Sequence, residues 1–163
     1  MRTGGCLCGA VRYTVRGDPV DVRRCHCADC RKESGSAFTV YAHWPVDAFD
    51  LNGEISIYDG RGFCPRCGSR LLDTTGLDSG GTFIEIRIGS LDEAPSELKP
   101  ETEIWVKRRE SWIAPVDARR STTRASGPLG ALVTPAVGMC CGRNTCCVKP
   151  AHTRKSSPPA LVL

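Results

Sequence analysis

Phe63-Cys64-Pro65-Arg66-Cys67-Gly68 is the stretch on which the fold turns. Two cysteines at C-x-x-C spacing let one short piece of backbone supply two corners of a metal tetrahedron. The glycine after the second cysteine permits the tight turn and the close backbone approach that such a knuckle needs. One pair is half a site, so the other half must come from elsewhere. Upstream stand Cys6-Leu7-Cys8-Gly9, a C-x-C pair, and Cys25-His26-Cys27-Ala28-Asp29-Cys30, a nested C-x-C-x-x-C. All seven of these cysteines fall in C-x-C or C-x-x-C spacings, and the odd total argues against a disulfide framework.

Zinc suits such a set, because it takes four thiolates in a tetrahedron and has no redox chemistry of its own. Seven thiolates divide most naturally as four and three. Cys6, Cys8, Cys64 and Cys67 are assigned to a closed structural site that cross-links distant segments. Cys25, Cys27 and Cys30 form a local triplet that leaves one corner open, as catalytic zinc does. Two zinc ions per chain are therefore expected. An eighth ligand would close the second site as well, and His43, a cysteine near the C-terminus or His26 are the candidates. Alternation in an extended segment turns His26 away from the face shared by Cys25 and Cys27. Zinc with three thiolates is formally −1, which suits holding a thiol as its thiolate more than polarising water. Arg24, Arg31 and Lys32 stand nearby in sequence as candidates to offset that charge and hold an anionic substrate.

The rest of the pattern is mainly β. Residues 10–16, 54–58 and 82–88 alternate apolar and polar side chains, and 37–44 is rich in β-branched and aromatic types before Pro45. Residues 103–107 read as a further strand. Only 28–34, directly after the central cysteines, invites a short helix. Clusters of Gly, Pro, Asp and Ser at 17–19, 76–81 and 92–100 read as loops. Many short strands with turn punctuation give an all-β fold class.

Composition divides the chain of 163 residues near position 117. Residues 1–117 carry all ten aromatic residues and a net charge of −3, from 15 Lys/Arg against 18 Asp/Glu. Residues 118–163 carry seven Lys/Arg, no acid and no aromatic. Such a segment buries too little apolar surface to offset its ordering entropy. We read 1–117 as the folded domain and 118–163 as a basic, disordered tail. The change at 118 reads either as a natural extension, with Cys140-Cys141 and Cys146-Cys147 as a further metal clip, or as a shifted reading frame; the second is our working expectation. No membrane-length apolar run and no export signal stand in the sequence, so a cytoplasmic, non-membrane protein is expected.

Residues 4–13 (GGCLCGAVRY), 25–38 (CHCADCRKESGSAF), 63–70 (FCPRCGSR) and 89–92 (GSLD), with Ile104-Trp105 and Arg109-Glu110-Ser111-Trp112, resemble the glutathione-dependent formaldehyde-activating enzyme family, a domain shared with centromere protein V. The resemblance covers about residues 3–116. It implies a β-tent, small antiparallel sheets around zinc. It also implies the same four-plus-three division, with structural zinc on Cys6, Cys8, Cys64 and Cys67 and catalytic zinc on Cys25, Cys27 and Cys30. The implied activity is that of a carbon–sulfur lyase, in which a small thiol such as glutathione adds to formaldehyde or another small aldehyde. The loop Ser34-Gly35-Ser36-Ala37-Phe38 is expected to line the pocket. Glu103 stands where the family often has histidine, and no function is attached to it.

Two other classes compete. A non-catalytic zinc module that binds a protein or nucleic acid would use similar knuckles, but the −3 domain lacks a basic nucleic-acid footprint. A thiol redox protein would use Cys27-Ala28-Asp29-Cys30, but the thioredoxin-like βαβ pattern is absent.

Overall fold

The computed structural model describes residues 1–78, 80–117 and 120–122. These lie within one compact unit, Met1–Ala131; a second unit, Leu132–Leu163, and the metal clip of the tail fall outside the described residues, as does the expected disorder of 118–163 except at Arg120–Thr122, which form a strand. Among the described residues, no helix is long and apolar enough to cross a membrane.

Strand β1 (Arg2–Gly5) pairs antiparallel with β2 (Arg12–Val15), from Arg2 opposite Val15 to Gly5 opposite Arg12. The turn between them carries Cys6 and Cys8. Strand β5 (Phe49–Asn52) adds to the other edge of β2, completing a three-stranded sheet. The larger sheet is built from β3 (Asp21–Cys25), β4 (Thr39–Pro45), β6 (Ser56–Tyr58), β7 (Arg61–Phe63), β8 (Arg70–Asp73), β9 (Phe83–Arg87), β10 (Thr102–Ile104) and β11 (Arg120–Thr122). Its order is β11-β10-β3-β4-β9-β8-β7-β6. Helix α1 (Ala28–Ser34) follows β3, and a single helical turn α2 (Thr75–Asp78) follows β8.

The fold is therefore mostly β with one short helix, as the sequence implies. It departs from purely antiparallel sheets at one place: β10 runs parallel to both β3 and β11. The expected strand at 103–107 stops at Ile104. Trp105 takes a left-handed φ of 59°, and the chain turns through Val106–Arg108 instead.

The core lies between the sheets and is closed by fully buried Trp44, Tyr13, Leu71, Ile86, Val11 and Val15. Trp44 keeps its indole N–H satisfied by the Gly17 carbonyl at 3.2 Å. Tyr13 packs the hydroxyl end of its ring against Gly4, where a Cβ would lie 2.3 Å from Cζ and the hydroxyl, and shares a 2.7 Å hydrogen bond with Ser90. Gly4 also bridges to Leu91. The bare backbone of β1 is thus what lets the small sheet approach the segment after β9.

Candidate metal centres

Each cysteine pair of the first cluster sits on a hydrogen-bonded turn. In the β1–β2 turn, the Cys6 N–H donates to Val11 O (3.0 Å), Gly9 N–H to Cys6 O (3.1 Å) and Val11 N–H to Cys6 Sγ (3.2 Å). In the β7–β8 turn, the Gly68 N–H donates to Cys64 O (2.9 Å) and the Cys64 N–H to Ser69 O (3.0 Å). Gly68 has φ 73°, a left-handed conformation that closes this knuckle. The two turns are tied directly, since the Leu7 N–H donates to Ser69 Oγ at 3.0 Å. The Ser69 hydroxyl in turn faces Cys67 Sγ at 3.3 Å and holds that thiol down to about 5.

The four sulfurs all lie within 4.8 Å of one another, with Cys6–Cys8 at 3.5 Å and Cys8–Cys64 at 3.8 Å. Four sulfurs at about 2.3 Å from a tetrahedral metal are separated by about 3.8 Å, so the set fits an ion of zinc's size.

The second cluster is local. Cys25 ends β3 and is buried; Cys27 caps α1, and Cys30 lies in its first turn. The Cys27 sulfur accepts from the Cys30 N–H (3.3 Å), and the Cys25 sulfur accepts from the Cys27 N–H (3.4 Å). The three sulfurs also lie within 4.8 Å of one another. Thiols this close cannot all ionise unaided. Hydrogen bonds from Cys25 and Cys30 hold Cys27 down to about 2, whereas the same contacts push Cys25 up to about 12 and Cys30 higher still. A bound cation is what would let all three carry charge. Tyr41, Ile104 and Trp105 form an apolar backing to this cluster.

Among the described residues, no fourth Cys, His, Asp or Glu joins the triad. His26 does turn away, as alternation predicts. It is fully buried, and its Nε2 is 2.8 Å from Glu103 Oε1. His43 stays outside the ligand group too, and the C-terminal cysteines lie outside the described residues.

Glu103 was unassigned by sequence and is the residue that fixes the triad's backbone. It is 1% exposed, and β10 sets it opposite Arg24. Its Oε1 accepts from Arg24 (2.5 and 3.1 Å) and meets His26, while Oε2 accepts from Arg109 (3.0 Å). Burial opposes its charge, yet Arg24, His26 and Arg109 hold its carboxyl below the usual range. The His26 N–H also donates to Ile104 O at 3.1 Å. The residue between two candidate ligands is thus clamped by side chain and backbone alike. The signal in sequence is faint: one acid opening a short strand, and an Arg beside the triplet.

Cys27 and Cys30 open onto a cavity of about 230 Å³. Its walls include Glu33 from α1, Arg61 from β7, Asp73 from β8, His43 from β4, and Glu85 and Arg87 from β9. Burial pushes Glu85 up to about 7 and His43 down to about 4. His43 was a candidate eighth ligand and instead stands in the cavity wall, whereas Glu85 carried no sequence signal, because it looks like the solvent side of an alternating strand.

Two expectations are corrected here. Arg24, Arg31 and Lys32 do not face this cavity: Arg24 is spent on Glu103, Arg31 pairs with Glu110, and Arg31 and Lys32 line a separate groove with Arg108 and Trp112. Residues Ser34–Phe38 line that groove and a neighbouring one, not the cavity of Cys27 and Cys30. The seven-residue helix α1 separates the two faces, so closeness in sequence did not become closeness in space.

Among solved structures, the chain is similar to the crystal structure of a Rhodobacter sphaeroides protein. The two share 22% identity over 56% of this chain and 89% of that one, with a TM-score of 0.47. The model of the glutathione-dependent formaldehyde-activating enzyme family matches residues 1–108, a span that contains all seven cysteines of both clusters. The chain belongs to the glutathione-dependent formaldehyde-activating enzyme family.

Proposed function

We propose that this protein is a zinc-dependent carbon–sulfur lyase-type enzyme that adds a small thiol to formaldehyde or another small aldehyde, or catalyses the reverse. One observation carries the reading: four sulfurs close one cluster, while three make the other, and two of those three open onto a cavity. An interaction module has no use for that asymmetry. Family membership supports the same chemistry.

In this reading Cys6, Cys8, Cys64 and Cys67 hold structural zinc, and Cys25, Cys27 and Cys30 hold catalytic zinc. When bound at the triad, zinc supplies a position where a thiol is kept as its thiolate at neutral pH. The chain's own residues do the rest. Buried Cys25 anchors the triad in β3, and Glu103 fixes the backbone on either side of His26. The cavity walls bring thiol and aldehyde together, which removes much of the entropic barrier to a bimolecular step. In that step, sulfur bonds to the carbonyl carbon and the carbonyl π bond breaks. The proton lost by the thiol ends on the former carbonyl oxygen, giving a hydroxyalkyl thioether.

Residues 1–117 form the zinc domain in this proposal and 118–163 a basic tail, whose Arg120–Thr122 adds an edge strand. A cytoplasmic setting, where thiols stay reduced, fits such a protein, with no specific nucleic-acid or membrane partner. The test is calorimetric titration of glutathione and other small thiols into the zinc-loaded full chain, then an assay of formaldehyde consumption. Saturable thiol binding that vanishes in Cys27→Ala is expected. If no thiol binds, two structural metals and an interaction role become the better account.

A further inference from the structure

We propose that the thiol taken at the Cys25–Cys27–Cys30 site is a small aminothiol, bearing an ammonium group and no net negative charge, in preference to an acidic thiol such as glutathione. This inference rests on the thiol-addition reading above and narrows its substrate class.

The cavity's charge balance is the first ground. Asp29, Glu33, Asp73 and Glu85 line it against Arg61 and Arg87. Both guanidiniums are already committed. Arg61 donates to Glu33 at 2.9 Å and to Asp59 at 2.8 Å, and Arg87 binds Glu33 and Glu85. Arg70, just behind, is held by Asp73 at 2.8 Å. A substrate carboxylate would have to displace one of these pairs and leave a half-buried acid without its cation, which is costly. Three thiolates around a divalent ion add a further formal −1.

His43 is the second ground. It lines the same cavity, and its Nδ1 is buried with no hydrogen-bond partner among the described residues. Its Nε2 lies 3.9 Å from Glu85 Oε2. With Nε2–H toward that carboxylate and burial disfavouring its protonation, the imidazole adds no cation to the cavity that would hold a substrate carboxylate. Size agrees: the cavity of about 230 Å³ falls below the roughly 300 Å³ lower bound of pockets for drug-sized ligands. The basic groove of Arg31, Lys32 and Arg108 is lined by none of the cysteines, so its cations do not change the balance at the triad.

The experiment is calorimetric titration of the zinc-loaded full chain with cysteamine, 2-mercaptoethanol, mercaptoacetate and glutathione, each Kd corrected for the thiolate fraction at the working pH. Cysteamine is expected to bind at least tenfold more tightly than mercaptoacetate, with mercaptoethanol between them and glutathione weakest. Asp29→Asn removes a carboxylate that is largely exposed and only 3.8 Å from its nearest cation, so the variant should fold normally. It should narrow the cysteamine-to-mercaptoacetate ratio several-fold, and Glu85→Gln should narrow it further. Equal or tighter binding of the acidic thiols would overturn the inference and leave thiol addition standing. A ratio unchanged in both variants would also overturn it. Failure of every thiol to bind would instead remove the thiol-addition reading itself.

Discussion

Cys64 is fully buried between two turns drawn from opposite ends of the cysteine-bearing segment, whereas Cys27 and Cys30 sit half-buried on a seven-residue helix and its cap. The chemistry of the ligand is the same in both clusters. What differs is how much chain each one joins. The four-sulfur cluster ties the β1–β2 hairpin to the β7–β8 hairpin, so a metal held there would contribute to folding directly. The triad ties β3 to the helix that follows it, and its rigidity comes instead from Glu103 on β10. One cluster is therefore part of what holds the fold together, and the other is carried by a fold that is already complete.

The sharpest way to break that comparison is to remove one ligand from each. Cys64→Ser should cost more than about 3 kcal/mol, since it removes the fully buried sulfur of the cluster and unlinks two hairpins. Cys27→Ala should cost about 1 kcal/mol, mainly its cap on the Cys30 N–H. Urea unfolding of the zinc-loaded proteins, with metal content measured alongside, checks both; equal costs would mean that both metals are structural.

Next in size is Glu103→Ala. It strands Arg24, His26 and Arg109 around a buried gap and should cost roughly 3 kcal/mol. The accompanying readout is zinc affinity, which should fall at the triad and not at the four-sulfur cluster.

A subtler effect lies in the pH dependence of stability. Glu85 in the fold titrates near 7 against an ordinary 4.5, so the folded state binds more protons in that window, and stability is lost as pH rises through it. His43 titrates near 4 against 6.5, so the folded state binds fewer protons there, and stability is lost as pH falls. The two effects oppose each other, each worth about 3 kcal/mol. The wild-type profile from pH 4.5 to 6.5 should be nearly flat. His43→Gln should expose the falling slope of Glu85, and Glu85→Gln the rising slope of His43, both followed by urea titration at each pH.

The smallest expected effect separates the knuckle from the helix. Gly68 (φ 73°) and Gly35 (φ 62°) are both left-handed, with nothing within 4 Å of an added Cβ. Alanine at either should cost about 1 kcal/mol of backbone strain in thermal unfolding. Only Gly68→Ala should also weaken zinc binding at the four-sulfur cluster.

Much of this was legible beforehand, for reasons that the residues make clear. The two cysteine clusters could be read because metal geometry fixes short cysteine spacings, and strands β2, β4, β6 and β9 because they alternate or concentrate β-branched and aromatic types. Strand β3, Asp-Val-Arg-Arg-Cys, was not read. Its charges look like a loop, but Arg23 is satisfied by Asp21 and Arg24 by Glu103 from another strand. Strand β1 hid behind its glycines: Gly4 admits the ring of Tyr13, and Gly5 admits the Val11 carbonyl. The parallel pairing of β10 with β3 leaves no trace in periodicity. Glu103 and Glu85 escaped for a shared reason: a lone charged residue in a strand signals a solvated face unless its partner from another strand is known.

The most direct test of the inequality between the clusters is optical. Cobalt(II) is loaded into both sites of the full chain, and its absorption is followed while a small thiol is added. The account predicts that the ligand environment of one cobalt per chain changes saturably, and that Cys27→Ala abolishes the change. A spectrum indifferent to thiol, with two cobalt ions bound, would show that both clusters are closed and would contradict it.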